Sequence, residues 1–462
     1  MSTMSSIINT SLSGMMTYQT AIAITGENIA NAETTGYTRQ VVLLGTNSRS
    51  SPMGSQTSSG VQVLDVRRAY DQFCQAKVVA SAWNLGKLEA EKKYLAYVEA
   101  AFDESEGSGL NEALSDFWNS WQDLVNNPSG YTERSTIVSR AAALADNFNQ
   151  IAAELSRIQR ETSSEIAAGV DEINTLISEI AGLNSQMIKA EAIGGNTNTL
   201  MDSLDTLTTQ LASLIDLNTY QNDDGQVCIQ LADGTPLVDG SSSWSMSAET
   251  DPATGLMEIY WNDGNGGTIS VTEAITGGAL GGCLEVRDEI IPGYLSDLDE
   301  MAATLMEEIN SLLLDGFDLN GQPGVALFTG SGAGDLAVNP DLLSDPSLIA
   351  ASAEADSAPG DATVALAVAE LQDALTVNGG LSSFGDFYSA LVGQVGTDVQ
   401  TVETEYEQQT NLSAFYTNYL ASVSGVSTDE EAANLVLFQQ ALEASARVIT
   451  ILQEIMETII EM

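Results

Sequence analysis

Any chemistry in this 462-residue chain has to come from carboxylates and three cysteines, because the chain has no histidine. That absence removes the commonest general base, the commonest metal ligand and every Ser-His or Cys-His nucleophile. Paired carboxylates can cleave glycosidic bonds, but among 64 acidic residues pairs arise by chance and none singles itself out. Cys74, Cys228 and Cys283 lie far apart without CxxC spacing and read as small packed hydrophobes. Asp/Asn/Gly loops at 222–225, 262–267 and 315–321 invite a calcium reading. None carries the bidentate Glu that closes a twelve-residue EF-hand loop, so they read as turns. No Gly-rich phosphate loop of Walker or Rossmann form precedes a helix. The sequence offers no reaction, no cofactor and no metal site.

Charge narrows the partners. With 64 acidic against 15 basic residues, a net charge of −49, the chain is a poor match for nucleic acid or an anionic membrane surface, which need clustered Lys and Arg. No run of eighteen apolar residues is present, so no membrane insertion is expected. No Lys or Arg precedes Arg39 and no compact apolar block opens the chain, so a Sec-type signal peptide is not expected either.

The strongest patterns are at the two ends. From Leu435 the apolar positions run Leu435, Phe438, Leu442, Ile449, Leu452, Met456 and Ile459, with Ser445 in register. This is an a/d seam held over four heptads, the pattern of a helix packed in parallel with others. A second stripe, Ala441, Ala444, Val448, Ile451 and Ile455, widens the buried face so that it can meet more than one neighbour. The first residues present Ile8, Leu12, Met15, Ile22 and Ile29 on one helical face. These residues form the expected assembly interface. Without a partner such helices cannot offset their ordering entropy, so the ends are expected to stay loose until they meet neighbouring subunits.

Between the ends, helix-period patterns dominate, with a long helix starting near Tyr131 and carrying Ile137, Leu144, Phe148, Ile151, Leu155, Ile158, Ile166, Ile173, Ile177, Ile180 and Met187. Residues 217–283 change to short β-branched runs broken by Asp-Gly and Asn-Gly turns, which read as hairpins. The fold class is therefore mainly α with a β insertion: a coiled-coil-like helical rod built from N- and C-terminal parts, with a small antiparallel β domain in the middle. Its divisions are 1–40 (N-terminal assembly helix and signature), 41–216 (rod), 217–283 (β insertion, outward and tolerant of change), 284–424 (rod) and 425–462 (C-terminal assembly helix). Gly425 is expected as a hinge, and Thr428 with Glu431 as the capping box that restarts the helix.

One local string stands out: Asn28-Ile29-Ala30-Asn31-Ala32-Glu33-Thr34-Thr35-Gly36-Tyr37-Thr38-Arg39-Gln40. Physically it stops a helix, with Asn and Gly tolerating left-handed geometry, and then offers an aromatic anchor and the first cation of the chain. It closely resembles the N-terminal signature shared by flagellar rod, hook and hook-associated proteins. Near the other end, Gly425, Glu431, Asn434, Gln439, Gln440 and Ala444 stand in a stretch that resembles the C-terminal signature of the hook-associated members. Leu437, Phe438 and Leu442 depart from it, standing where the family often has a basic residue and tyrosines.

The resemblance implies a structural, extracellular axial protein without catalysis, exported uncleaved by the flagellar type III apparatus. It implies self-association in a ring between hook protein and the second hook–filament junction protein, with an export chaperone beforehand. It also implies that the terminal helices pair. Hook and rod proteins are expected to be richer in β structure, and flagellin would lack the Asn28–Gln40 string. A different class, a secreted acidic adhesin or glycan-active protein, would use Trp244, Tyr260 and Trp261 of the β insertion.

Overall fold

The computed structural model describes residues 2–50, 56–103 and 109–461. Helix α1 (Ser2–Ala30) leads into a two-stranded antiparallel hairpin, β1 (Gln40–Ser50) and β2 (Gln56–Arg68). Helices α2 (Gln72–Ala101), α3 (Leu110–Asn126), α4 (Tyr131–Ala192) and α5 (Asn198–Leu214) follow. Strands β3 (Asn218–Gln221), β4 (Val227–Gln230), β5 (Pro236–Asp239) and β6 (Ser242–Ser243) form one antiparallel sheet. Strands β7 (Met246–Thr250), β8 (Met257–Asn262) and β9 (Thr268–Ser270) form another. Helix α6 (Gly278–Glu285) passes through a π-turn, Val286–Ile290, into α7 (Ile291–Leu314). A loop-rich stretch holds the β10 (Phe328–Thr329) and β11 (Ala337–Val338) pair and the short helices α8 (Pro340–Ser344) and α9 (Thr363–Glu370). The chain ends in α10 (Phe384–Ser424) and α11 (Thr428–Glu461).

Helix α4 is the spine. Its 62 residues make a rod of about 93 Å at 1.5 Å per residue. All eleven apolar positions named from its periodicity are buried. Against its first half lies an aromatic cluster in which Phe117 meets Trp118 at 5.0 Å and Phe328 at 5.9 Å, and Trp118 meets Phe384 at 5.8 Å. Truncating a ring such as the fully buried Phe117 removes about 3–5 kcal/mol of packing. Helix α10 starts at a capping box: Ser383 Oγ accepts from Asp386 N at 3.2 Å and donates to the Asp386 carboxylate at 2.8 Å.

The structure departs from the sequence reading in several places. Residues 40–68, assigned to the rod, form the β1–β2 hairpin, which lies along α1 through Thr17 Oγ1 donating to Val61 O at 3.0 Å. Residues 315–383, also assigned to the rod, fold back on α3 and α4. Buried Arg134 of α4 donates to Ile349 O at 3.2 Å, and Asn149 to Leu336 O at 3.0 Å. The 217–283 insertion is not a detached outward module, because Ile229, Leu237, Met246 and Ile259 join the same core as α4. Three α4 side chains also take over its backbone: Asn184 bonds Val227 and Gly240, Asn174 bonds Met246, and Ser163 bonds Met257. The three Asp/Asn/Gly loops are Asx turns in each of which one side-chain oxygen accepts backbone N–H groups, as at Asp263 with Asn265 and Gly267.

Fully buried Asn184 satisfies three backbone groups of the insertion at 2.8–3.2 Å. Asn184→Ala strands them without water and is expected to lower stability by about 2–4 kcal/mol in urea denaturation. A change under about 0.5 kcal/mol would return the insertion to a detached module.

Candidate functional site

The residues singled out at the two ends meet in one place. Helices α1 and α11 pack antiparallel within the chain: Asn28 lies against Glu431, Tyr18 stacks on Phe438 at 6.3 Å, and Gly14 faces Ser445. The parallel packing expected from the heptad pattern is therefore replaced by an antiparallel pair, and each loose end gains the other as its partner. A Cβ at Gly14 would come within 3.0 Å of Ser445 Oγ, so the small residues set a close crossing.

The α11 half of the seam is enclosed only as far as Leu452. Leu435, Phe438, Leu442 and Ile449 are half-buried and Leu452 is buried, while Met456 and Ile459 run past the contact and are exposed. The α1 half differs. Its buried residues are Ser11, Gly14, Thr17, Ala21, Thr25 and Asn28; Ile8, Met15, Ile22 and Ile29 sit at the flanks half-buried, and Leu12 is exposed. Small and hydroxyl side chains let α1 approach the hairpin on one side and α11 on the other, which bulky residues would prevent.

A polar latch closes the pair. Buried Asn28 uses its whole hydrogen-bonding capacity. Its Nδ2 donates to Gln40 O at 2.9 Å and Glu431 Oε2 at 3.1 Å, and its Oδ1 accepts from Tyr37 OH at 2.8 Å and Gln40 N at 2.9 Å. Arg39 Nε donates to the other Glu431 oxygen at 2.9 Å, and Arg39 N donates to Ser424 O at 2.8 Å. Gln40 Oε1 accepts from Asn196 and Asn198, both at 3.1 Å, and Thr38 N donates to Asp202 Oδ2 at 3.1 Å. Arg68, at the foot of β2, bridges Asp202 at 2.9 Å and Asp205 at 2.6 Å. Burial, followed by the Glu27 charge, pushes the Tyr37 hydroxyl up to about 12, so it stays protonated and donating. Gly36 turns the chain at φ +80, where a Cβ would also strike Thr206 Oγ1.

Glu431 therefore does not close a capping box. Ser427, one residue ahead of Thr428, caps α11 by accepting Glu431 N on its carbonyl at 2.9 Å and Glu430 N on its hydroxyl at 3.4 Å. The remaining signature residues divide by role. Asn31 and Thr34 finish α1, Asn31 donating to Glu27 O at 3.0 Å and Thr34 to Asn31 Oδ1 at 3.4 Å. Gly425 breaks α10 from α11, and Asn434 is half-buried on the pair. Ala30, Gln439, Gln440 and Ala444 face outward. Sequence reasoning missed Arg68, Asn198 and Asp202, whose only local signal is that Arg68 is one of 15 cations and Asp202 and Asp205 share a helix face.

The second stripe of α11 is left open. Val448, Ile451 and Ile455 are 39, 54 and 42% exposed, on the same helical stripe as Leu437 at 60%. This apolar face is uncovered among the described residues. By length and composition the helical run Phe384–Glu461 contains a stretch apolar enough to cross a bilayer. The apolar positions of α11 are instead divided between a face against α1 and this open one.

Comparison with known proteins bears on the same regions. Residues 95–328 match the family model described as the flagellar hook-associated protein FlgK helical domain. Residues 8–38 match a flagella basal body rod protein model, and residues 417–462 the C-terminal model of flagellar basal body rod FlgEFG proteins. The chain is 28% identical to flagellar hook-associated protein 1 of Bacillus subtilis (strain 168), covering 98% of this chain and 97% of that one. It is 26% identical to the protein of that name in Escherichia coli (strain K12), covering 99% and 100%. The flagellar hook junction protein FlgK from Burkholderia pseudomallei superposes with a TM-score of 0.69 at 16% identity, over 77% of this chain and all of that one.

Removing Arg39 leaves the Glu431 carboxylate, only 3% exposed, with Asn28 alone. Arg39 is itself 24% exposed, so Arg39→Ala is expected to weaken the α1–α11 docking by about 2–3 kcal/mol, below the ~3–5 kcal/mol of fully buried pairs. Limited proteolysis should then release both ends faster while the α4 core survives. Unchanged protection of the ends would remove the latch from the account.

Proposed function

The chain belongs to the flagellar hook-associated protein FlgK family, and on that premise we propose that its paired ends are the surface through which it joins the axial assembly. It is a structural component of the bacterial flagellum at the hook–filament junction, located outside the cell. In this reading the chain has no catalytic role. Copies associate side by side in a ring, with hook protein on one side and the second hook–filament junction protein on the other. An export chaperone holds the chain before assembly, and export proceeds without a cleaved signal.

The observation that carries this reading is the division of labour on α11. One face is spent on α1 and locked by Glu431, and the other, through Val448, Ile451 and Ile455, is ordered and uncovered. The rod-type matches at 8–38 and 417–462 coincide with that helix pair. The middle, which carries the helical-domain match, packs around α4 and distinguishes this chain from rod proteins.

Two experiments check it. Loss of the gene is expected to leave hooks without filaments and flagellin free in the medium; filaments of normal length would refute the assignment. Ile449 packs against α1, so Ile449→Asp disturbs the pair itself. Ile451→Asp instead puts a charge on the open face. It is expected to leave the melting temperature of the purified chain within about 1 °C, since exposed substitutions cost under ~0.5 kcal/mol, and to abolish filament growth. Normal filaments in this variant would show that the open face is not an assembly surface.

A further inference from the structure

Away from the chain ends, one buried carboxyl serves neither the latch nor the core packing. Glu91 on α2 has a side chain only 6% exposed, and its Oε1 has no hydrogen-bond partner among the described residues. The nearest cation, Lys87 one turn earlier, stops 3.6 Å from Oε1, near enough to attract but outside hydrogen-bonding reach. That ammonium is instead bonded to Glu285 at the end of α6. One ammonium therefore faces two carboxylates, and the charge of Glu405 on α10 disfavours the ionised form of Glu91 as Glu285 does.

The close packing of α6 on α2 encloses Glu91, while Lys87 and Glu285 reach the surface. Gly282 of α6 lies so close to α2 that a Cβ would strike Lys87 O. The other helices on α2 supply no relief. Glu165 of α4 is taken by Lys93 and Tyr94, and Asp202 and Asp205 of α5 are held by Arg68. Burial first, then the charges of Glu285 and Glu405 acting against Lys87, raise the Glu91 carboxyl to about 7.

Helix α10 lies along α2 and beyond its first turns is held by polar and half-buried side chains. Past Val395, α10 has no fully buried residue until Ser424. It is fastened to α2 by Lys92–Glu403 at 3.0 Å, by Gln409 Nε2 donating to Ser81 O at 3.2 Å and Oγ at 3.0 Å, and by half-buried Val399, Val402 and Tyr406. We propose that the α2–α10 contact is a proton-operated catch, closed while Glu91 holds its proton and loosened when the proton leaves. The sign follows from linkage. A carboxyl held above its unfolded value binds more protons when closed, so the contact loses stability as pH rises from the ordinary carboxyl range to about 7, and the full penalty is felt above it. Because α10 ends at Ser424, whose carbonyl accepts Arg39 N, loosening reaches the latch at the chain ends.

Hydrogen exchange on the full chain, corrected for intrinsic rates, tests this between pH 5.5 and 8.5. Protection across residues 396–424 is expected to fall on the order of tenfold or more with rising pH, while the α4 core is unchanged, and Glu91→Gln should abolish the fall. Should that variant fail to fold, Glu285→Gln provides the second reading. It frees Lys87 for Glu91, so the loosening should become smaller and be complete at lower pH. Flat protection of the wild-type segment, or a fall that persists unchanged in Glu91→Gln or Glu285→Gln, overturns the catch. These readouts use the purified chain, so their failure leaves the assembly role untouched.

Discussion

The buried carboxylate of Glu431 is the constraint from which the arrangement of both ends follows. It accepts from Arg39 on one oxygen and from Asn28 on the other, joining residues 392 and 403 positions away in sequence. A charge so enclosed is costly unless every lone pair is met, and removing one partner exposes that cost. Asn28 is saturated by the same cluster, so neither group can turn away without leaving another unpaired. The result is a directional joint, where apolar packing alone would allow α1 and α11 to slide by a helical turn.

Scarcity of cations makes the joint specific. With 15 Lys and Arg against 64 Asp and Glu, the acidic residues repel one another over most of the surface. Several of the cations tie distant segments together. Arg39 ties the signature loop to α11, Arg68 ties the hairpin to α5, and Lys87 ties α2 to α6. Arg134, fully buried, spends its charge on the carbonyls of Pro128, Gly130 and Ile349. Burial draws its pKa down, with Asp318 and Glu133 opposing.

What could be read from the sequence was what local pattern encodes. The α4 stripe is a 3.6-residue period over 62 residues, and burial follows it position by position. The β insertion announced itself through turn residues, and the Asn28–Gln40 string through a helix stop, which falls after Ala30 with the chain turning at Gly36. The hairpin at 40–68 was not legible. Its apolar residues do not enclose a core, and Val41, Leu43 and Leu64 remain 45, 43 and 55% exposed, so the alternation that marks a half-buried strand is weak. The α1 stripe was misread because a close helix crossing buries small residues, whereas a hydrophobic count favours large ones. The capping motif failed for a related reason: Thr428 and Glu431 have the right spacing, but a partner far along the chain takes the carboxylate and Ser427 takes the cap. Polar pairings across hundreds of residues leave no periodicity to detect.

The central claim is that the two ends of one chain pair with each other and stay paired in the assembly, leaving one face of α11 for neighbours. A cysteine pair tests it most directly. A Cβ at Gly14 lies 3.7 Å from Ser445 Cβ, within the ~3.5–4.5 Å that a disulfide spans. In a Gly14→Cys, Ser445→Cys chain, oxidation is expected to give an intrachain bond, seen as a faster non-reducing gel band. The bonded chain should still cap hooks and carry filaments. Cross-links found only between chains, or a bonded chain that no longer supports filaments, would contradict the account.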